Sequence, residues 1–115
     1  MKDVVVKLRA LSDETRVRIL MLLDERELRQ DELMNILDMS DTTAMRHLAA
    51  LSEAGLLHTW NSDVSTHYAL NRDSKGTVSS DVIEALRARL SLDQQVTSDR
   101  TKMKVLVRRP PERHR

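Results

Sequence analysis

A mostly α-helical domain carrying one short β-hairpin is the fold class this sequence predicts, and three observations predict it. The core must be built almost without aromatics: the 115 residues hold no Phe, one Trp (Trp60) and one Tyr (Tyr68), so Leu, Val, Ile and Met fill it. Leu and Met are strong helix formers, whereas strands favour aromatic and β-branched residues. Chain breakers are scarce, with two glycines (Gly55, Gly76) and two prolines (Pro110, Pro111), which suits helical runs. Apolar spacing is helical along most of the chain and changes period only over residues 56–70.

The elements follow in order. Val4, Val5, Leu8 and Leu11 recur at helical spacing and predict a first helix over residues 2–11. Ser12 is the expected N-cap of the second, with Asp13 and Glu14 in its first turn. Val17, Ile19, Leu20, Leu22 and Leu23 make that helix heavily apolar and place it centrally. "DELMNILDM" is a short third helix, broken at Asp38 to Ser40. Ser40 then caps a fourth, which turns Ala44, Leu48, Ala49 and Leu51 inward and stops at Gly55. Two helices joined by a three-residue turn fit a helix-turn-helix.

"LLHTWNSDVSTHYAL" contains two strand-like runs around the turn-prone Asn61-Ser62-Asp63-Val64. Its expected register sets Leu57 against Tyr68 on the core side and His58 against His67 on the outer side. A hairpin directly after a helix-turn-helix is a wing, so the predicted architecture is a winged helix-turn-helix with a two-stranded wing. Val78, Val82, Leu86 and Leu90 form an apolar stripe on a helix over 78–91. Ser91 with Gln94 resembles a capping box and predicts a last helix from residue 92 to Pro110-Pro111. The expected division is a winged-helix and dimerisation domain over 1–109 and a basic, disordered tail over 110–115.

Charge is uneven. Residues 1–99 hold 12 Lys+Arg against 17 Asp+Glu, and residues 100–115 hold 7 against the single Glu112. A basic end on an acidic body is either a nucleic-acid arm or a solvated tail. No cysteine is present, which excludes disulfides, thiolate metal sites and thiol redox sensing within this chain. No apolar run approaches the ~20 residues of a membrane span. "MKDVVVKLRAL" lacks the apolar centre of a signal peptide, so a cytoplasmic location is expected. A Gly-rich phosphate loop, a nucleophile elbow and a His-carboxylate cluster of convincing spacing are all missing from the sequence, and no enzymatic activity and no cofactor are expected.

"LRALSDETRVRILMLL", "ELRQDELMNILDMS", "RHLAALSEAGLL" and "HYALN" resemble, in order and spacing, the ArsR/SmtB family of bacterial winged-helix repressors over residues 4–71. The resemblance implies a homodimer, built from the first and last helices, that binds operator DNA and leaves it when an inducer binds. Val4, Val5, Leu8, Val82, Leu86, Leu90 and Met103 are the residues expected to form the layer between subunits. The family's recognition-helix pattern, S-Q-x-x-V-S-R-H-L, is matched by Ser40-Asp41-Thr42-Thr43-Ala44-Met45-Arg46-His47-Leu48. The implied DNA-binding set is therefore Ser40, Asp41, Thr42, Thr43, Arg46 and His47, with His58, Ser62 and His67 on the wing. Arg46 can present a bidentate fork to guanine, and threonines can bond bases or phosphates. Arg46 is the only fixed positive charge over residues 40–60. Arg16, Arg18, Arg72, Lys75 or the basic tail must then supply phosphate neutralisation.

The family's soft-metal sensors resemble E-L-C-V-C-D/E-L, where this chain has Glu27-Leu28-Arg29-Gln30-Asp31-Glu32-Leu33. Its zinc sensors carry Asp-x-His and His-x-x-His on the last helix, where this chain has Asp73-Ser74-Lys75 and the histidine-free "VIEALRARL". His58, His67 and Asp63 could improvise a site on the wing, but two exposed histidines are a poor ligand set, so no metal site is expected. The predicted function is a homodimeric DNA-binding repressor on a pseudo-palindromic operator, released by an effector that is not thiophilic; a small molecule is a candidate. The alternative is a winged-helix protein-interaction module with little or no sequence-specific DNA binding, in which Arg46 could be tied into an internal salt bridge.

Overall fold

Among the described residues, 1–72 and 77–112, the computed structural model contains six helices and three strands. They run α1 (Lys2–Ala10), α2 (Glu14–Glu25), β1 (Leu28–Arg29), α3 (Gln30–Leu37), α4 (Asp41–Glu53), β2 (Leu57–Asn61), β3 (Thr66–Leu70), α5 (Val78–Leu90) and α6 (Gln94–Leu106). The winged helix-turn-helix is thus present as expected.

Two helix starts fall later than the sequence suggests. Asp13, not Ser12, caps α2, its carboxylate accepting from the Arg16 backbone N–H at 3.1 Å. The Ser12 hydroxyl instead donates back to the Leu8 carbonyl at 2.9 Å. Asp93, not Ser91, caps α6 by accepting from the Val96 N–H at 3.1 Å. Both replacements are themselves good capping residues, so the motif holds and only its position slides.

The sheet has the order β1-β3-β2, antiparallel throughout. Its third strand is an addition to the expected hairpin: Leu28 pairs with Tyr68 and Arg29 with His67. The hairpin register also differs from expectation. Leu57 pairs with Leu70, His58 with Ala69, and Trp60 with His67. Ser62 is the reason. Its N–H donates to the Ser65 carbonyl at 2.9 Å, and its hydroxyl oxygen accepts from the N–H groups of Val64 and Ser65. Such a serine turn makes residues 62–65 the loop and slides the pairing by two residues. A shift of two keeps every side chain on its face, so Leu57, Tyr68 and Leu70 still cover the core.

The centre is α2, whose Ile19, Leu20, Met21, Leu22 and Leu23 are all buried. Leu33, Ile36 and Leu37 of α3 and Ala44, Leu48 and Leu51 of α4 pack on it, joined by Val96 and Met103 of α6. Met103 is therefore a core residue of its own chain, which corrects its place in the expected intersubunit layer. The reason is that α6 crosses back over α2, pinned by Arg18, which forks onto the buried carboxylate of Asp99 at 2.8 and 2.9 Å.

The segment after α6 also differs from a free tail. Arg109 bonds both Glu27 (2.9 and 3.0 Å) and Glu32 (2.6 and 2.9 Å). The Glu112 backbone N–H then donates to Glu27 Oε1 at 3.1 Å. Residues 110–112 are held against the start of β1 by these bonds; the rest of the expected tail, 113–115, lies outside the described residues.

Candidate nucleic-acid interface

The three-residue turn before α4 is set by backbone and cap together. Asp38 ends α3 in the left-handed region at φ 52°, a conformation that Asp tolerates better than most residues. Ser40 then caps α4, its hydroxyl accepting from the Thr43 N–H at 3.2 Å. With that start fixed, Ala44, Leu48 and Leu51 face the core, and Thr42, Met45 and Arg46 are exposed on the outer face. Thr43 is half-buried, and its Oγ1 accepts from the Ser40 hydroxyl.

Arg46 makes no hydrogen bond or ion pair among the described residues. Four of the other candidate cations do. Arg16 is bonded to His47, Arg18 to Asp99 and Arg72 to the carbonyl and carboxylate of Asp24. Arg109 is spent on Glu27 and Glu32. Lys75 lies outside the described residues.

Two expected contacts have other partners. Asp41 accepts from Gln30 Nε2 at 2.7 Å, and Gln30 Oε1 accepts from the Tyr68 hydroxyl at 3.1 Å. Asp41 thus braces the recognition helix, through one glutamine, against the wing strand β3. His47 is 4% exposed and is not an outward contact. Arg16 Nε donates to its Nδ1 at 3.1 Å. Burial pushes the imidazole pKa down from 6.5, opposed by Asp13 at 3.9 Å and reinforced by Arg16 and Arg46. The signal was in the spacing: His47 lies three residues after Ala44 and four before Leu51, on the inward stripe.

On the wing, Ser62 is exposed and organises the turn, and Asp63 and Val64 form its exposed tip. His58 is exposed. His67, expected outside beside it, is 2% exposed. Trp60 stacks on its ring at 5.2 Å with planes 9° apart, and Glu27 and Glu112 close over it. The ring does sit on the outer sheet face, but the segment after α6 covers that face. Of the expected subunit-contact residues, Val5 and Leu8 are exposed and Val4, Val82, Leu86 and Leu90 are half-buried.

The helix-turn-helix, α2 and the first wing strand coincide with residues 13–59, which match the family described as bacterial regulatory protein, arsR family. Two solved structures agree over most of the chain. "HlyU from Vibrio cholerae N16961" is 32% identical, covers 78% of this chain and 94% of its own, and superposes with a TM-score of 0.67. "Reduced HlyU from Vibrio cholerae N16961" is 34% identical, with 80% and 92% coverage and a TM-score of 0.66. The chain belongs to the ArsR family. Comparison with curated proteins gives no significant match.

An ArsR-family chain of this architecture is a DNA-binding transcriptional regulator. Its positions 29 and 31, where the soft-metal sensors carry cysteines, hold a surface ion pair instead: Arg29 bonds Asp31 at 3.1 and 3.2 Å. Among the described residues no helix is long and apolar enough to cross a membrane.

Proposed function

We propose that this ArsR-family regulator is a cytoplasmic, homodimeric repressor that binds a pseudo-palindromic operator and has no enzymatic activity. One observation carries the reading. Arg46 is exposed on the outer face of α4 and has no partner among the described residues, whereas Arg16 and Arg18 are bonded to His47 and Asp99. An arginine on a recognition helix with its fork free is what guanine readout requires. In the rival protein-interaction reading Arg46 could be tied into an internal salt bridge, and the lack of such a bridge among the described residues supports the DNA-binding reading. Thr42, beside the helix start, and the wing tip at Ser62 supply the accompanying contacts to base edges or phosphates.

The effector is of a chemistry other than thiol exchange. One similar structure is described as reduced HlyU, but this chain contains no cysteine, so a thiol switch has nothing to act on here. A small molecule binding the dimer is the candidate class.

A mobility-shift titration of the protein on DNA from its own promoter region tests this reading. Binding at one symmetric site is expected, with weak affinity for unrelated DNA because few local cations neutralise phosphates, and a salt dependence whose slope counts the phosphates contacted. Equal affinity for unrelated DNA, or none at all, would favour the interaction module.

A further inference from the structure

His67 has one ring nitrogen too many. Its Nε2 lies 2.9 Å from the Ser62 hydroxyl. Its Nδ1 is fully buried and makes no hydrogen bond among the described residues. That nitrogen points at two carboxylates from distant parts of the chain, Glu112 Oε2 at 3.4 Å and Glu27 Oε2 at 3.7 Å. Buried polar atoms without partners are rare and costly. Direct N–H···O bonds are shorter, with a mode of ~2.9 Å. By contrast, two ligands each ~2.1 Å from a tetrahedral ion stand about 3.4 Å apart. Ligand atoms of all three residues lie within 4.8 Å of one another.

We propose that Glu27, His67 and Glu112 form a divalent-cation site that takes a borderline ion such as zinc, with water completing its coordination. One imidazole and two carboxylates suit first-row divalent ions better than calcium or magnesium. The donor set is prepared for this. Glu27 Oε1 is fully used, accepting from Arg26, Arg109 and the Glu112 N–H, but among the described residues Oε2 accepts only from Arg109 Nη2 and keeps room on the His67 side. Arg26 and Arg109 hold Glu27 ionised, as a metal ligand must be. Their charges also oppose the ion's, which sets the affinity below that of the same three ligands alone. Ser62 and the stacked Trp60 fix the imidazole's orientation from behind, the outer-shell arrangement that metal-binding histidines need.

The site differs in place from both sensor patterns of the family, since it uses neither positions 29 and 31 nor the last helix. It also replaces the wing site conceivable from the sequence, because His58 pairs with Ala69 rather than His67. An ion here would fasten residues 110–112 and the start of β1 to wing strand β3. The inference is independent of the operator-binding reading.

Calorimetric titration of the metal-free protein with Zn²⁺, followed by thermal unfolding, tests it. One ion per chain is expected, with a raised unfolding midpoint and a displaced His67 Nδ1 resonance in nitrogen NMR. Glu112→Gln, at an exposed position that leaves folding intact, should weaken binding ~10-fold or more, the loss typical of damaging a metal site. His67→Gln should abolish it, and His58→Ala should leave it unchanged. Three outcomes would overturn the proposal: no binding at excess Zn²⁺, an Nδ1 that is simply protonated and unmoved by zinc, or binding that survives both Glu112→Gln and His67→Gln.

Discussion

Arg16 of α2 donates its Nε–H to His47 Nδ1 of α4 at 3.1 Å, so the imidazole must keep that nitrogen unprotonated. Burial depresses the His47 pKa below 6.5, and the neighbouring Arg16 and Arg46 add to the effect against Asp13. The unfolded chain therefore binds a proton that the folded chain refuses. Stability from this contact is complete above the unfolded value and is lost as pH falls through it toward the depressed folded value. Urea unfolding between about pH 8 and pH 5 should show stability falling on the acid side. His47→Gln, which retains an acceptor without titrating, should flatten that fall; an unchanged slope would remove His47 as its source.

Arg46→Ala should weaken operator binding by ~1–3 kcal/mol and relax preference at one base of each half-site. Fold and stability should survive, because the side chain is exposed and has no bonded partner among the described residues. Mobility shifts on a panel of half-site variants separate the possibilities. Equal loss on every sequence would make Arg46 a phosphate contact, and no loss would take it out of the interface.

Arg18 and Asp99 hold α6 to α2 through two parallel bonds, and Gln95 Nε2 adds a third to the same carboxylate at 2.9 Å. Asp99 is buried, while Arg18 retains partial access to water. Removing the buried partner usually costs ~3–5 kcal/mol, and the access of Arg18 to water places Asp99→Ala at about the lower end of that range. Chemical denaturation measures it. A loss under about 1 kcal/mol would show the pair to behave as a surface bridge.

What was legible in the sequence was periodic. The apolar stripes of α2, α3 and α4, and the alternation that sends Leu57 and Tyr68 inward, are repeated signals that tolerate a sliding cap or a two-residue register shift. What was illegible depended on single contacts over long separations. β1 is two residues long, too short to show alternation, and exists because β3 offers it an edge. His67 looks like a surface residue beside polar neighbours, but the returning segment around Glu112 buries it; the burial of His47, by contrast, follows from its place on the inward stripe of α4. Arg109 read as part of a basic arm, because a run of like charges carries no mark of the two glutamates, Glu27 and Glu32, that neutralise it.

Gly55 ends the α4 region at φ 78°, where an L-residue is strained. A Cβ there would meet only Lys7 Nζ at 3.7 Å, an ordinary contact. The cost of Gly55→Ala is therefore conformational, about 1–2 kcal/mol, and not a clash. Trimming the neighbour should give no relief: in thermal unfolding, Gly55→Ala combined with Lys7→Ala should show the sum of the two single effects. A clear rescue would mean that crowding, not backbone strain, is responsible.

The last prediction concerns the subunit interface. Val5 and Leu8 are exposed on α1, with Val6 beside them, and Leu92, Val105 and Leu106 are exposed at or near the ends of α6. Apolar groups left in water on the two terminal helices are the surface expected to join two subunits, and a twofold dimer would set two recognition helices on two half-sites. Sedimentation equilibrium at micromolar concentration should report a dimer. Leu8→Glu places a charge in the centre of the α1 patch without touching the core, so it should yield a folded monomer by circular dichroism. That monomer should bind a single half-site weakly and lose the affinity gained from joining two. A natural chain that sediments as a monomer, or a Leu8→Glu variant that remains dimeric, would move the interface away from α1. Operator binding unchanged in a true monomer would show that one recognition helix and one wing suffice.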